Sequence, residues 1–338
     1  MKKLYLTVML IILSLLTNLS CSETTIDSLL KILNHEKGIP RADILNMLSR
    51  EYLQSNPVKS IRLAEEALAI ARTEKNQLLI EDSMNNIASG YYFLSDYENA
   101  LKWYDNSLDA SLGSDNTSNI ARAYNNLGLV FNKLNFPDKA LEYYLMSLDL
   151  EEKQQNGQGI AMSLCNLGNF HYQRGSLEKA LEYFQQSLAI QEQLSLDEGL
   201  ADVLNNIGIV YDELKKYDIA LEYYLRSLEL EKKLGNQNGI ATTANNIGLV
   251  YQNLNIIDEA KNYLELSLDI TTEIGEKYGI ANTKMNLGNL YLKMNELDQA
   301  QELIYTGLEL AKFIKAPDLI MTGYELLAEF YAAKKDFQ

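Results

Sequence analysis

Apolar and polar positions alternate with a helical period along most of the chain. Leu204, Ile207, Gly208 and Tyr211 fall at i, i+3, i+4 and i+7, which places them on one face of an α-helix. A second stripe follows in Ala220, Tyr224 and Leu228, while Glu222, Arg226 and Glu229 point to other faces and stay in water. Turn-forming residues separate such stripes: Lys215-Lys216-Tyr217-Asp218, Asn135-Phe136-Pro137-Asp138 and Arg174-Gly175-Ser176. An isolated amphipathic helix is marginal in water, so each pair must close as a hairpin and be covered by neighbours.

The pattern recurs every 40 residues without gaps. Asn125-Asn126-Leu127-Gly128, Cys165-Asn166-Leu167-Gly168, Asn205-Asn206-Ile207-Gly208, Asn245-Asn246-Ile247-Gly248 and Met285-Asn286-Leu287-Gly288 are one motif, with a softer copy at Asn85-Asn86-Ile87-Ala88. An Ala follows each small residue at a fixed distance (Ala100, Ala140, Ala180, Ala220, Ala260, Ala300), and a Leu follows each Ala (Leu108, Leu148, Leu188, Leu228, Leu268, Leu308). Small residues such as Gly208 and Ala220 are expected to face each other where the two helices approach closely. Short loops join successive copies, among them Asn156-Gly157-Gln158-Gly159 and Asn236-Gln237-Asn238-Gly239.

The recurring small, aromatic and Ala positions resemble the tetratricopeptide repeat family over about residues 41 to 338. The family's usual period is about 34 residues. The longer period here is most similar to the subclass of kinesin light chains, polarity scaffolds that bind G-protein regulators, and bacterial peptide-sensing regulators. The resemblance implies an all-α fold, a right-handed α-α superhelix (solenoid) of tandem hairpins. Seven repeats are expected at 41–80, 81–120, 121–160, 161–200, 201–240, 241–280 and 281–320, with a partial eighth at 321–338 and a linker or capping helix at 22–40. Leu48 and Ser60 replace the small Gly and Ala in the first copy, as suits a capping repeat, and the family's frequent Pro near the end of the second helix is absent. Leu327-Ala328 and Tyr331 match the first helix of an eighth copy, which either caps the array or marks a truncated chain.

Composition narrows the partners. Lys and Arg total 30 against 46 Asp and Glu, a formal charge of −16 that repels phosphate backbones and anionic lipid heads. Nucleic acid is therefore not expected. Met1-Lys2-Lys3, the apolar run Leu4 to Leu16, and Ser20-Cys21-Ser22 have the order of a secretory signal over residues 1–21. Cys21 also occupies the place of a lipidated cysteine, although Asn18 stands where such signals carry Leu; lipidation and plain cleavage near Ser20 or Ser22 both fit. A lipid at Cys21 would be the one contact with a membrane. An exported chain, periplasmic or on the outer envelope, is the expectation. With only Cys21 and Cys165, no internal disulfide framework is implied.

No phosphate loop, nucleophile set or metal cluster is visible, so neither catalysis nor a cofactor is expected. His171 falls at the position of Tyr211, Tyr251 and Tyr291, and far from His35, so it reads as a packed aromatic. Tyr143, Tyr183, Tyr223 and Tyr263 read as hairpin packing. The family resemblance places the groove-lining residues three before and one after the Gly. Those are Asn85, Asn125, Asn205 and Asn245 in one series and Asn169 and Asn289 in the other. A carboxamide can pair with both C=O and N–H of an extended peptide. The competing reading, that such amides satisfy neighbouring helices, applies above all to Asn86, Asn126, Asn166, Asn206, Asn246 and Asn286. A non-catalytic scaffold for a protein or peptide partner is the leading expectation, and an extracytoplasmic sensory input domain of a signalling protein the alternative.

Overall fold

The computed structural model describes residues 22–336 and holds sixteen helices and no strand among them. The proposed secretory signal and Cys21 lie outside the described residues. The architecture is the expected all-α series of tandem helical hairpins.

Two compact units divide after Phe170. The first contains α1 (Ser22–Leu33), the hairpins α2 (Gly38–Glu51) with α3 (Pro57–Thr73), α4 (Gln77–Phe93) with α5 (Tyr97–Gly113), and α6 (Thr117–Lys133) with α7 (Pro137–Lys153), and most of α8 (Gly157–Gln173). The second contains α9 (Leu177–Leu194), the hairpins α10 (Asp197–Glu213) with α11 (Tyr217–Leu234), α12 (Gln237–Asn253) with α13 (Ile257–Ile274), and α14 (Lys277–Lys293) with α15 (Leu297–Ile314), and finally α16 (Pro317–Asp336).

The period comes from how each helix stops. Lys75, Ser95, Asp115 and Asn135 all take positive φ, as do Ser195, Lys215, Gly235 and Asn255 later in the chain. This left-handed residue turns the chain and lets the next N–H reach back into the helix: Asn76 to Ala71 O at 2.9 Å, Lys216 to Tyr211 O at 2.8 Å. Asn76, Asn116 and Asn236 then cap the following helix through their side chains. Seventeen residues of helix in α4 and α5, each with a three-residue turn, make the forty-residue repeat.

Within a hairpin, Gly208 lies against Tyr224, and the equivalent Gly248 and Gly288 also lie close to the backbone of Ala260 and Ala300. A Cβ at Gly208 would come within 2.6 Å of the Tyr224 ring, and one at Gly128 within 2.7 Å of Tyr144. The long aromatic lies across the glycine, while Ala220 is fully buried and keeps its own turn close. In the first hairpin Leu48 and Ser60 are likewise buried, and Ser60 O accepts from Ser49 Oγ at 2.9 Å. Between hairpins, packing beyond chain neighbours joins first helices to first helices: α2 to α4 and α4 to α6 in one unit, α10 to α12, α12 to α14 and α14 to α16 in the other. The row of first helices is thus the tighter one, and it carries the candidate site.

Candidate functional site

Four first helices, α4, α6, α10 and α12, carry two adjacent asparagines, and within each unit the structure links asparagines of successive first helices into a ladder two columns deep. Asn126 Nδ2 donates to Asn85 Oδ1 at 2.8 Å and Asn166 Nδ2 to Asn125 Oδ1 at 3.2 Å. In the second unit Asn246 Nδ2 donates to Asn205 Oδ1 at 3.1 Å and Asn286 Nδ2 to Asn245 Oδ1 at 2.8 Å. Asn86 begins the series by donating to Asn46 Oδ1 at 3.2 Å. Every rung joins one hairpin to the next.

The columns differ in depth. Asn85, Asn125 and Asn245 are 7%, 2% and 6% exposed, and Asn205 is half-buried. Their oxygens are engaged in the ladder, and Asn125 also donates to Ser163 Oγ at 3.1 Å. Sequence reasoning treated this inner column as open to a peptide; its carboxamides are instead set between hairpins, because the neighbouring first helix closes over them. Asn126, Asn166, Asn246 and Asn286 form the outer, half-buried column. Each has committed one N–H to the ladder, which leaves a second N–H and the oxygen as chemistry for whatever lies against the row. Asn169 and Asn289 are half-buried one turn further along, Asn169 with its Nδ2 4.0 Å from Cys165 Sγ. Asp82 and Arg122, in corresponding places on α4 and α6, form an ion pair across the same face.

Aromatic residues behind the row brace each hairpin. Phe131 stacks on Tyr143 at 5.4 Å, Tyr211 on Tyr223 at 5.6 Å and Tyr251 on Tyr263 at 5.7 Å. His171 takes the same place against Tyr183 at 5.3 Å. Burial, with nearby Lys179 adding to it, holds the His171 imidazole below its ordinary pKa and so favours the neutral, stacking form. Among the described residues no group of His, Cys, Asp and Glu is arranged to hold a metal ion. No helix among them is long and apolar enough to cross a membrane.

Three buried carboxylates, Glu81, Glu151 and Glu231, were not singled out by sequence. Glu81 is fully buried on α4 and accepts from Ser114 Oγ at 2.6 Å, Asn119 Nδ2 at 2.8 Å and Asn116 Nδ2 at 2.9 Å. Burial pushes its pKa up, but the donors Ser114, Asn119, Asn116 and Gln77 together pull harder, and the net direction is down. Glu151, on α7, lies against Gly159 and accepts from Asn156 Nδ2 at 2.7 Å. Burial outweighs that single bond, and its pKa is raised. The available signal was the opposition of large and small residues: Glu151, Gln191 and Glu231 each stand against a glycine, Gly159, Gly199 and Gly239.

Stacked hairpins joined by side-chain ladders, with their polar row on the first helices, define a helical-repeat protein. The tetratricopeptide repeat family model matches residues 79–153, 159–233 and 239–312, and the chain belongs to that family. No curated protein matches it in sequence. Among solved structures it is similar to the apo form of RapI, with TM-score 0.61 and 15% identity over 81% of this chain and 98% of that one. It is also similar to a Rap protein complexed with Competence and Sporulation Factor, with TM-score 0.62 and 14% identity over 93% of this chain and 80% of that one. A third likeness is to a signal transduction ATPase with a tetratricopeptide repeat sensor from Pyrococcus horikoshii. Its TM-score is 0.65 and its identity 18%, over 87% of this chain but only 44% of that one. At these identities the likeness is one of fold.

Proposed function

We propose that the chain is a non-catalytic interaction scaffold that holds an extended segment of a partner protein against its row of first helices. The observation that carries this reading is the double asparagine ladder. Within each unit an inner column, Asn85 and Asn125 in one and Asn205 and Asn245 in the other, orients an outer one, Asn126 and Asn166 or Asn246 and Asn286, which offers fixed amides, with Asn169 or Asn289 beside them. Amides in such a row pair with peptide backbone and impose shape more than sequence. Support also comes from the Rap structure complexed with a factor, a fold like this one. The residue order at the N-terminus extends the reading to export, with Cys21 as the place for a lipid anchor.

A second reading, an input domain for a signalling protein, is favoured by the ATPase likeness, whose repeats are named a sensor. Both readings place a partner at the same row.

The test is selection of binders from a displayed library of random peptides against the whole chain, repeated with Asn126, Asn246 and Asn286 all replaced by Ala. Selected peptides are expected to lose at least about tenfold in affinity on the variant, equivalent to roughly 1.4 kcal/mol. Equal affinity for both proteins would remove the ladder from the binding site.

A further inference from the structure

In the second unit the first helices carry another line of side chains beside their asparagines. Two turns on from Asn206, Asn246 and Asn286, on the same helix face, stand Glu213, Asn253 and Lys293, each the last residue of its helix, α10, α12 or α14. All three are exposed, whereas the asparagines are half-buried. Because α10 packs on α12 and α12 on α14, the line runs acidic, neutral, basic along the row. The asparagines repeat unchanged and this line does not. A constant amide pairs with backbone, which every peptide has; a charge that changes at each step can tell one side chain from another.

Helix stability does not explain the acidic end of the line. A carboxylate at the C-terminus of a helix faces the negative end of its dipole, and Glu213 stands there beside half-buried Asp212. Burial, and then the Glu213 charge, push the Asp212 pKa up against a hydrogen bond from Asn253. Tyr172 Oη donates to Glu213 Oε1 at 3.4 Å, and of the two lysines in the following turn Lys216 lies over the Tyr211 ring. Among the described residues no cation forms an ion pair with Glu213 or Asp212, and no carboxylate forms one with Lys293. In the first unit, by contrast, Asp82 and Arg122 on the same row neutralise each other.

We propose that Glu213 and Lys293 select the partner segment by charge and fix its direction: a basic side chain where the segment crosses α10, and an acidic one where it crosses α14. The proposal rests on the reading that the segment lies along the asparagine row. Packed helices stand about 8–10 Å apart, which puts α14 about 16–20 Å from α10, and an extended chain rising about 3.3 Å per residue covers that distance in about five or six residues. The same segment laid the other way would set base against Lys293 and acid against Glu213, and like charges facing each other exclude that arrangement.

The test is selection from a displayed library of random peptides about twelve residues long, run in parallel on the whole chain, on a charge-swapped variant carrying Glu213→Lys and Lys293→Glu, and on Asn246→Ala with Asn286→Ala. Binders of the parent are expected to carry a Lys or Arg and an Asp or Glu about five or six positions apart in one predominant order, and binders of the swapped protein the opposite order. Parent-selected peptides should lose at least about tenfold in affinity on the swapped protein, and Lys293→Gln alone should abolish the preference for the acid while keeping that for the base. Unchanged circular dichroism confirms that these exposed substitutions leave the fold intact. Binders that depend on Asn246 and Asn286 but lack the charge pair, or show it in the same order on parent and swapped protein, overturn the proposal and leave the scaffold reading standing. Failure to select binders, or binders indifferent to Asn246 and Asn286, removes that reading and this proposal with it.

Discussion

An asparagine side chain can donate and accept at once, and the ladder uses both capacities to fix one hairpin against the next. Asn125 shows how much rests on a single inner residue: it accepts from Asn166 and donates to Ser163, and it is almost fully buried. Asn125→Ala removes two hydrogen bonds at a buried position, although Ser163 keeps its contact with Ser147 at 3.2 Å, and should cost about 1–3 kcal/mol in all. Asn126→Ala, on the half-buried outer column, removes one hydrogen bond, to Asn85, and should cost about 1 kcal/mol. Urea unfolding of the two variants checks the order. The buried acids give opposite pH signatures. The Glu81 pKa is lowered on folding, so its contribution is present above the unfolded pKa and is lost as pH falls through the folded one. The Glu151 pKa is raised, so its contribution is present at low pH and is lost as pH rises through the folded value. Glu81→Gln is therefore expected to destabilise the protein at neutral pH and much less in acid, whereas Glu151→Gln should stabilise it at neutral pH. Denaturation midpoints between acid and neutral pH measure both, and a common direction for the two variants would contradict the assignment of donors.

Elements are joined by a rule of complementary size at the place where one hairpin hands over to the next. Where the second helix ends in a long polar residue, the following first helix begins with glycine: Glu151 with Gly159, Gln191 with Gly199, Glu231 with Gly239. Near each end of the array the sizes are exchanged, and Ala71 and Ala311 pack in the same clusters as Leu79 and Leu319. The α4–α6 junction is a third solution: Ser111 is small, Asn119 is medium, and Glu81 reaches in from α4 to fill the space and bond Asn119. Total volume is conserved while the residue that supplies it changes, as close packing requires. Gly159→Leu alone would drive a side chain into the Glu151 carboxylate and should cost at least about 1–3 kcal/mol. Glu151→Ala together with Gly159→Leu recreates the Ala71 and Leu79 pair, and should recover most of that loss. The coupling in a double-mutant cycle measures it, and additive effects would show that the two residues do not share the space.

At the scale of the whole molecule the repeat was legible because helix, turn and capping residues recur in one register: the apolar stripes, the glycines under Tyr144 and Tyr224, and the left-handed turn positions all follow the forty-residue step. The ladder was less legible for a geometric reason. Alignment superposes Asn125 on Asn85, but the bond runs from Asn126 to Asn85, 41 residues apart, because successive helices are offset as they stack. A column comparison therefore shows two amides per repeat without showing that they meet, and the inner one passed for an open groove residue. The same offset makes a demanding prediction about deletion. Removing residues 241–280 joins Ile240 to Ala281, keeps Glu231 against Gly239, keeps the Asn236 cap, and brings Asn286 Nδ2 to Asn205 Oδ1 in place of Asn245. Every contact type at the new junction already exists in the array, and in a stacked array stability is roughly a sum over repeats and their interfaces. The shortened protein is expected to fold with unchanged helicity per residue and a denaturant slope reduced in proportion to its lost surface. Removing residues 241–270 instead deletes three quarters of the period, turns the ladder and the glycine seats to the wrong faces, and should leave a protein with lower helicity and a broadened transition. Circular dichroism during urea titration separates the two, and equal behaviour of both deletions would mean that the register of these side chains does not hold the hairpins together.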